Sequence, residues 1–186
     1  MQKYPNLKNH FLLASPYMAD PRFTRALILV CEHSAEGSMG IVLNKFANLT
    51  LADVGASLKI PVLEDRKSIA VLKGGPVHMD RGFIIHDAGP QWSSTHEVAP
   101  GLYVTTTREI LLEIGAGGGP ERFLIALGCV GWDEGQLEQE LNSVDWIIHP
   151  ADNKIIFNSE NNDRLQLAAS QMGVDLVRFA PIVGHA

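Results

Sequence analysis

The sequence predicts an α+β fold, with a mixed β-sheet and about four short helices, on the strength of three observations. Short apolar runs typical of strands outnumber the helical patterns. Several neighbouring runs are joined by loops too short for a helical crossover, which favours a mixed sheet over a doubly wound parallel one. Three segments begin with residues that commonly cap helices.

The strands are predicted from continuous apolar runs. Residues 26–32 and 39–43 are the clearest, and the polar, glycine-containing loop 34–38 between them is typical of a hairpin. Further strands are predicted at residues 69–72, 82–86, 102–106, 122–127, 146–149 and 154–157.

The helix starts are predicted from capping boxes, in which a polar residue and a second one three positions later bond each other's backbone. Thr50 with Asp53 forms such a pattern, and so do Thr106 with Glu109 and Asp133 with Gln136. A fourth helix is predicted over residues 160–172, which would bury Leu165, Ala168, Ala169 and Met172 and end at Gly173.

The composition is that of a globular protein. The 186 residues are 46% hydrophobic and 19% charged, and we expect a single domain over residues 1–186. No apolar run approaches the roughly 20 residues needed to span a bilayer. The apolar stretch 11–14 is too short for a signal peptide, and two cysteines make no disulfide framework, so we expect a cytoplasmic protein without a membrane partner.

The negative charge is concentrated in one segment. The net charge is −6, and residues 131–165 contain eight acidic and two basic side chains, so the rest of the chain is balanced. A nucleic-acid-binding protein usually carries a basic stripe that displaces counterions from phosphates. No such stripe is visible, which argues against nucleic acid as a partner.

The standard catalytic and cofactor motifs are absent from the sequence. Gly37-Ser38-Met39-Gly40 has its serine one position too early for a nucleophile elbow, and no Gly-Lys-Ser/Thr follows either glycine-rich stretch. Gly74-Gly75-Pro76 is therefore interpreted as a tight turn, with backbone contact to a ligand as the alternative. No His-x-x-x-His pair or Cys-x-x-Cys is present, so we predict no metal and no cofactor.

A few isolated polar groups remain as candidates for chemistry. His86 and Asp87 at a strand end would form a proton-transfer pair if they faced a cleft, and Arg81 would face an anionic ligand or make an ion pair in a turn. Cys129, at the end of a predicted strand, is a better candidate for a reactive thiol than Cys31, which lies inside an apolar strand. Cys31 and His33 are expected to share a strand face.

Four stretches taken together resemble the AlgH/YqgE family of bacterial proteins. Two are more specific than the others: Gly74-Gly75-Pro76-Val77 followed by Arg81-Gly82-Phe83, and Gly131-Trp132 followed by Gly135-Gln136-Leu137-Glu138. The other two are residues 11–16 with 20–23, and residues 37–44. The resemblance covers nearly the whole chain in order.

The resemblance implies an α+β fold whose sheet is partly curled into a barrel with helices around it, but it implies no established reaction. Family members are often labelled transcriptional regulators, yet this sequence contains no recognisable helix-turn-helix. It also departs from the family pattern where Lys45 and Phe46 follow Asn44, and where Cys129 replaces a common aromatic residue. These departures weaken an anion-binding or aromatic role at those positions.

The leading functional hypothesis is a non-enzymatic regulatory or adaptor protein that binds a small ligand or a protein partner. A site would lie among the polar and turn-forming motif residues Asn44, Gly74, Gly75, Arg81, His86, Trp132 and Gln136. One alternative is an enzyme, either a hydrolase or thiol-dependent, using His86 and Asp87 or Cys129. Another is a DNA-binding regulator. The apolar stretch 174–186 would pack on the core or on a second subunit, so a homo-oligomer stays open.

Overall fold

The computed structural model describes residues 5–160 and 163–178. The described part contains five α-helices and ten β-strands. The helices are α1 (Leu51–Leu58), α2 (Arg108–Gly115), α3 (Gln136–Asn142), α4 (Asn153–Asn158) and α5 (Arg164–Gln171). The strands are β1 (His10–Ala14), β2 (Leu27–Ser34), β3 (Gly37–Val42), β4 (Phe46–Thr50), β5 (Ala70–Lys73), β6 (Val77–His86), β7 (Thr95–Ala99), β8 (Leu102–Thr105), β9 (Phe123–Asp133) and β10 (Trp146–Pro150).

The ten strands form one curled sheet. Eight of them follow the order β10-β1-β2-β3-β9-β6-β8-β7, and β5 joins β9 while carrying β4 on its outer side. Neighbours pair antiparallel except β5 and β9, the one parallel pair within the described residues. The sheet curls into a half-barrel surrounded by short helices, which confirms the predicted α+β class.

Strand β9 joins the two halves of the sheet. Its first half lies between β5 and β6, where Ala126 is opposite both Leu72 and Phe83. Its second half pairs with β3, where Val130 is opposite Gly40. Strand β9 therefore connects β5 and β6 on one side of the sheet to β3 on the other.

Both faces of the central strands are buried, which explains their continuous apolar runs. On β2, Leu27, Leu29 and Cys31 face the cluster under α4 and α5, which we call the main core. Ile28 and Val30 face a second cluster under α3. A third cluster lies on one face of β5, β6 and the first half of β9, and helices α1 and α2 cover it. Each fully buried leucine or isoleucine contributes about 1.5–3 kcal/mol to folding.

Two local predictions are wrong. Residues 154–157 lie in helix α4, because the Asp152 side chain accepts the backbone N–H of Lys154 (2.8 Å) and starts a helical turn. Cys31 packs in the main core under α4 and α5, whereas the His33 ring contacts Leu7 and Glu138 on the face under α3, because the pairing of β2 with β3 is irregular between Val30 and Glu32. The strands β1, β4 and β7 were not predicted.

The capping predictions are met to different degrees. The Thr50–Asp53 box forms as predicted. Helix α2 starts one residue later than predicted, with Thr107 at its N-cap and no side-chain capping bond. Helix α3 has Gly135 at its N-cap, although Gln136 Oε1 still accepts the Asp133 N–H (3.0 Å).

The fourth predicted helix corresponds to α5, and Gly173 adopts the left-handed conformation that ends it (φ +70°). Leu176 packs in the main core. Residues 179–186, which carry most of the predicted apolar C-terminal stretch, lie outside the described residues. Within residues 5–160 and 163–178, no helix combines the length and the hydrophobicity of a transmembrane span.

Candidate functional site

His86, a predicted site residue, is fully buried at the end of β6. Its Nδ1 atom accepts the backbone N–H of Ala88 (3.3 Å). Because a backbone N–H can only donate, the ring proton lies on Nε2, which donates to Thr105 Oγ1 (2.7 Å). The ring also packs edge-on against Trp92 and stacks on Tyr103. Both ring nitrogens are therefore occupied by the protein itself.

The bond to Thr105 continues as a chain of hydroxyl groups. Thr105 Oγ1 lies 2.6 Å from Thr95 Oγ1, which donates to the carbonyl of Trp92 (2.8 Å). This direction of donation is consistent with a neutral imidazole donating at Nε2. Burial lowers the pKa of His86 to about 4, and the negative charge of Asp87 only partly opposes that effect. His86 is therefore uncharged at neutral pH.

Asp87 does not form the proton-transfer pair that the sequence suggested. Its carboxylate accepts a 2.7 Å hydrogen bond from Nε of Arg122 and forms an ion pair with it. Asp87 makes no hydrogen bond to His86 within the described residues. The geometry thus gives neither residue the arrangement that general acid–base catalysis needs.

Cys129 is also enclosed. Its side chain lies in the main core, opposite Val77 of β6. Burial raises the pKa of its thiol above the ordinary value, and the nearby positive charge of Arg81 acts in the opposite direction. Because the thiolate is the reactive form, Cys129 is a weak nucleophile at neutral pH.

Arg81 itself lies on the surface. Its Nη2 donates to Thr106 Oγ1 (3.1 Å), and its guanidinium lies 5.7 Å from the centre of the Phe83 ring. These are contacts within the chain, on the exposed part of β6.

Gly74 and Gly75 lie where two backbones approach closely. The Gly74 N–H donates to the Leu127 carbonyl (2.8 Å), and the Gly74 carbonyl accepts from Val42 (2.9 Å). A Cβ atom at Gly74 would collide with the carbonyl of Gly128, and one at Gly75 with the backbone of Cys129. Glycine is therefore required here so that β5 and β9 can pack.

Asn44 also has a structural role in the chain. Its Oδ1 accepts the Leu27 N–H and its Nδ2 donates to the Arg25 carbonyl, both at 2.8 Å. The side chain thereby ties the loop after β3 to the start of β2.

Trp132 and Gln136, the last two predicted site residues, converge on one carboxylate. Glu140 Oε2 accepts the indole N–H groups of Trp132 (2.9 Å) and Trp146 (2.7 Å). Glu140 Oε1 accepts from the Gln136 amide (3.0 Å). Hydrogen bonds to a charged acceptor are worth about 1.5–3 kcal/mol each, so this arrangement is rigid.

Trp132, Gln136 and Glu140 of this network form one wall of a surface cleft of about 300 Å³. We call it the tryptophan cleft. Phe23 and Pro76 also line it, together with the Asp20–Arg22 ion pair and Asp145. The ring of Phe23 packs edge-on against Trp146, which in turn packs edge-on against Trp132. The cleft thus combines aromatic walls with a few fixed polar groups, as ligand sites usually do.

The structure brings together only part of the predicted set. Trp132 and Gln136 line the tryptophan cleft, and Gly74 and Gly75 immediately precede Pro76, which also lines it. Asn44, Arg81 and His86 do not line it.

Glu140 and Phe23 were missed by sequence reasoning. Glu140 follows Gln136 by one helical turn, which was the available signal. Within residues 5–160 and 163–178 no group of three His, Cys, Asp or Glu side chains could hold a metal ion.

Comparisons with known proteins agree on one family. The AlgH-like family (DUF179) matches residues 11–177. A UPF0301 protein of Xanthomonas campestris is 44% identical over 181 residues, covering 97% of this chain and 96% of that protein. A UPF0301 protein of Xanthomonas oryzae is 43% identical over 182 residues, with the same shares covered.

Two solved structures share the fold. The solution structure of the AlgH protein from Pseudomonas aeruginosa is 41% identical, has a TM-score of 0.83 and covers 100% of both chains. A crystal structure of a Corynebacterium diphtheriae protein, 21% identical with a TM-score of 0.70, covers 96% of this chain and 94% of that one and shares the fold alone. These matches assign no specific reaction. The chain belongs to the AlgH-like family.

Proposed function

We propose that this chain is a non-enzymatic regulatory or adaptor protein that binds a small ligand, or a side chain of a protein partner, in the tryptophan cleft. The observation that carries the proposal is the convergence of three N–H donors on Glu140. This convergence holds Trp132, Gln136 and Glu140, which all line the cleft, as one preorganised wall, and it also anchors Trp146, which does not line the cleft. Such preorganisation lowers the cost of ordering a site on binding.

The enclosure of the candidate catalytic groups supports a binding role over an enzymatic one. His86 is buried and neutral, Asp87 is paired with Arg122, and the thiol of Cys129 is held in its protonated form by burial. An enzyme using these groups would need to open its core before reacting. A binding protein needs no such opening.

The chemistry of the cleft indicates a ligand with a flat apolar part and a polar edge. The Phe23 ring and the Trp132 indole offer apolar contact, and the Gln136 amide, Asp145 and the Asp20–Arg22 pair offer polar contacts. Its volume of about 300 Å³ is at the small end of ligand pockets.

The test is a thermal-shift screen at fixed salt with nucleotides, phosphorylated metabolites, divalent metals, amines and thiols. A ligand at 100 times its Kd adds about 2.7 kcal/mol, which raises Tm by roughly 5–11 °C for a domain of this size. Gln136→Ala should abolish the shift, because it removes a polar group that lines the cleft. The matched control is Gln139→Ala, an exposed glutamine on the same helix.

Two results would contradict the proposal. One is a compound that stabilises both glutamine variants equally, because its site would then lie elsewhere. The other is turnover of the bound compound, which would make the protein an enzyme. Stabilisation lost in Gln136→Ala, kept in Gln139→Ala and without turnover is the result we expect.

A further inference from the structure

A second concavity lies apart from the tryptophan cleft, between helix α1, helix α2 and the start of strand β6. It has a volume of about 360 Å³, and we call it the apolar groove. Most of its lining is aliphatic: Leu49, Val54, Leu58, Met79, Leu111 and Leu127. Its floor belongs to the third core cluster, so the groove is a place where that cluster opens to the surface.

The rim of the groove exposes large apolar side chains. Leu49 and Leu58 are each 40% exposed, and Met79 is 58% exposed. These three exposed side chains line one concavity and are not scattered singly over the surface, and grouped apolar surface of this kind marks interaction sites. Methionine adapts its shape easily, which suits a docking surface.

The conformation of β6 places Met79 and Asp80 on this rim. Val77 is opposite Cys129 and Gly82 is opposite Leu127, so residues 78–81 stand against the single residue Gly128. The extra residues bulge outward, and His78 takes a positive φ of 49°. Met79 is therefore exposed because of the fold of the strand.

The charge of the groove indicates what kind of partner it fits. Asp53 of α1 and Asp80 of β6 both line it, and its lining includes no Lys or Arg among the described residues. Hydrogen bonds from Thr50 lower the pKa of Asp53, which keeps its carboxylate charged. The Asp80 carboxylate accepts no side-chain or backbone hydrogen bond and makes no ion pair within the part of the chain that the structure describes.

We propose that the apolar groove docks a segment of another protein that carries two or three apolar side chains flanked by lysine or arginine. The apolar side chains would cover Leu49, Leu58 and Met79, and the basic residues would face Asp53 and Asp80. This surface is separate from the tryptophan cleft, with no lining residue in common. It gives the protein a docking face independent of any small ligand.

A selection from a phage-displayed library of random peptides on the folded protein tests the proposal. We expect the enriched peptides to combine apolar residues with Lys or Arg. Met79→Glu should weaken their binding by at least about tenfold, and Asp80→Asn by roughly two- to fivefold. Both residues are exposed, and an unchanged Tm would establish that the variants fold. Leu167→Glu, an exposed leucine on α5, is the matched control and should leave binding unchanged.

Four outcomes would overturn the proposal. They are failure to enrich any peptide over a protein-free surface, enrichment of acidic or uncharged peptides, and binding that Met79→Glu does not affect. The fourth is a wild-type dimer in sedimentation that Met79→Glu dissociates, because the groove would then be occupied by a second copy of the chain.

Discussion

The burial of His86 predicts that the stability of this protein falls in mildly acidic solution. The neutral ring fits its site, where Nδ1 accepts from Ala88 and Nε2 donates to Thr105. A protonated ring would carry a second N–H where the backbone of Ala88 already points its own. Protonation therefore favours the unfolded state, in which the imidazole is in water.

The magnitude follows from the two pKa values. An unfolded histidine has a pKa near 6.5, and His86 has a pKa of about 4 in the folded protein. Between these pKa values the unfolded state binds more protons than the folded state. The contribution of His86 to the free energy of unfolding is therefore complete above about pH 6.5 and is lost as the pH falls towards 4. The full decrease in the free energy of unfolding is roughly 3 kcal/mol, and about 2 kcal/mol of this decrease has occurred by pH 5.

The assay is urea unfolding followed by tryptophan fluorescence at several pH values between 7.5 and 5, for the wild type and His86→Gln. The variant should be less stable than the wild type at pH 7.5. This difference in the free energy of unfolding should be about 2 kcal/mol smaller at pH 5, because only the wild type contains the titrating ring. His96→Gln, at an exposed histidine of β7, is the control and should show no such convergence. A difference in stability between wild type and His86→Gln that does not change with pH would show that the fold does not hold His86 in its neutral form.

Three further predictions concern the backbone contact, the tryptophan cleft and the thiol. Gly74→Ala should lower the free energy of unfolding by roughly 3 kcal/mol or more in urea titrations, because the added Cβ would collide with the Gly128 carbonyl. The control Gly131→Ala should lower it much less, because there is room for a Cβ at that position. Glu140→Gln should lower the free energy of unfolding by about 2–4 kcal/mol and alter the near-ultraviolet circular dichroism of the tryptophans, because it removes the charge that accepts both indole N–H groups. The control Glu134→Gln, at an exposed position, should change neither quantity. Cys129 should react with iodoacetamide at neutral pH far more slowly in the folded protein than in urea, and equal rates would contradict its burial.

The parts of the fold that could be predicted were those with a strong local signal. The continuous apolar runs around Leu29 and Ile41 predicted two strands, and the Thr50–Asp53 pair predicted a helix start. Residues 154–157 were misassigned because a short apolar run fits a buried helix as well as a strand. The deciding residue was Asp152, whose capping bond was not recognised.

The candidate site was predictable only where its residues are close in sequence. Trp132 and Gln136 belong to one motif, and both line the cleft. Phe23 comes from a distant segment, and Glu140 becomes important only because the fold brings two indole groups to it. The polar surroundings of His86 likewise depend on Thr95 and Thr105, which only the pairing of β6, β7 and β8 brings together.

The indole N–H signals of the three tryptophans in a ¹⁵N-labelled sample report directly whether a ligand binds in the tryptophan cleft. The compound that raises Tm in the thermal screen would be titrated into the protein. We predict that the signals of Trp132 and Trp146 shift with a common Kd, while that of Trp92, which packs on His86, does not. If a stabilising compound moves only the Trp92 signal, or none of the three, it binds elsewhere and the tryptophan cleft is not its site.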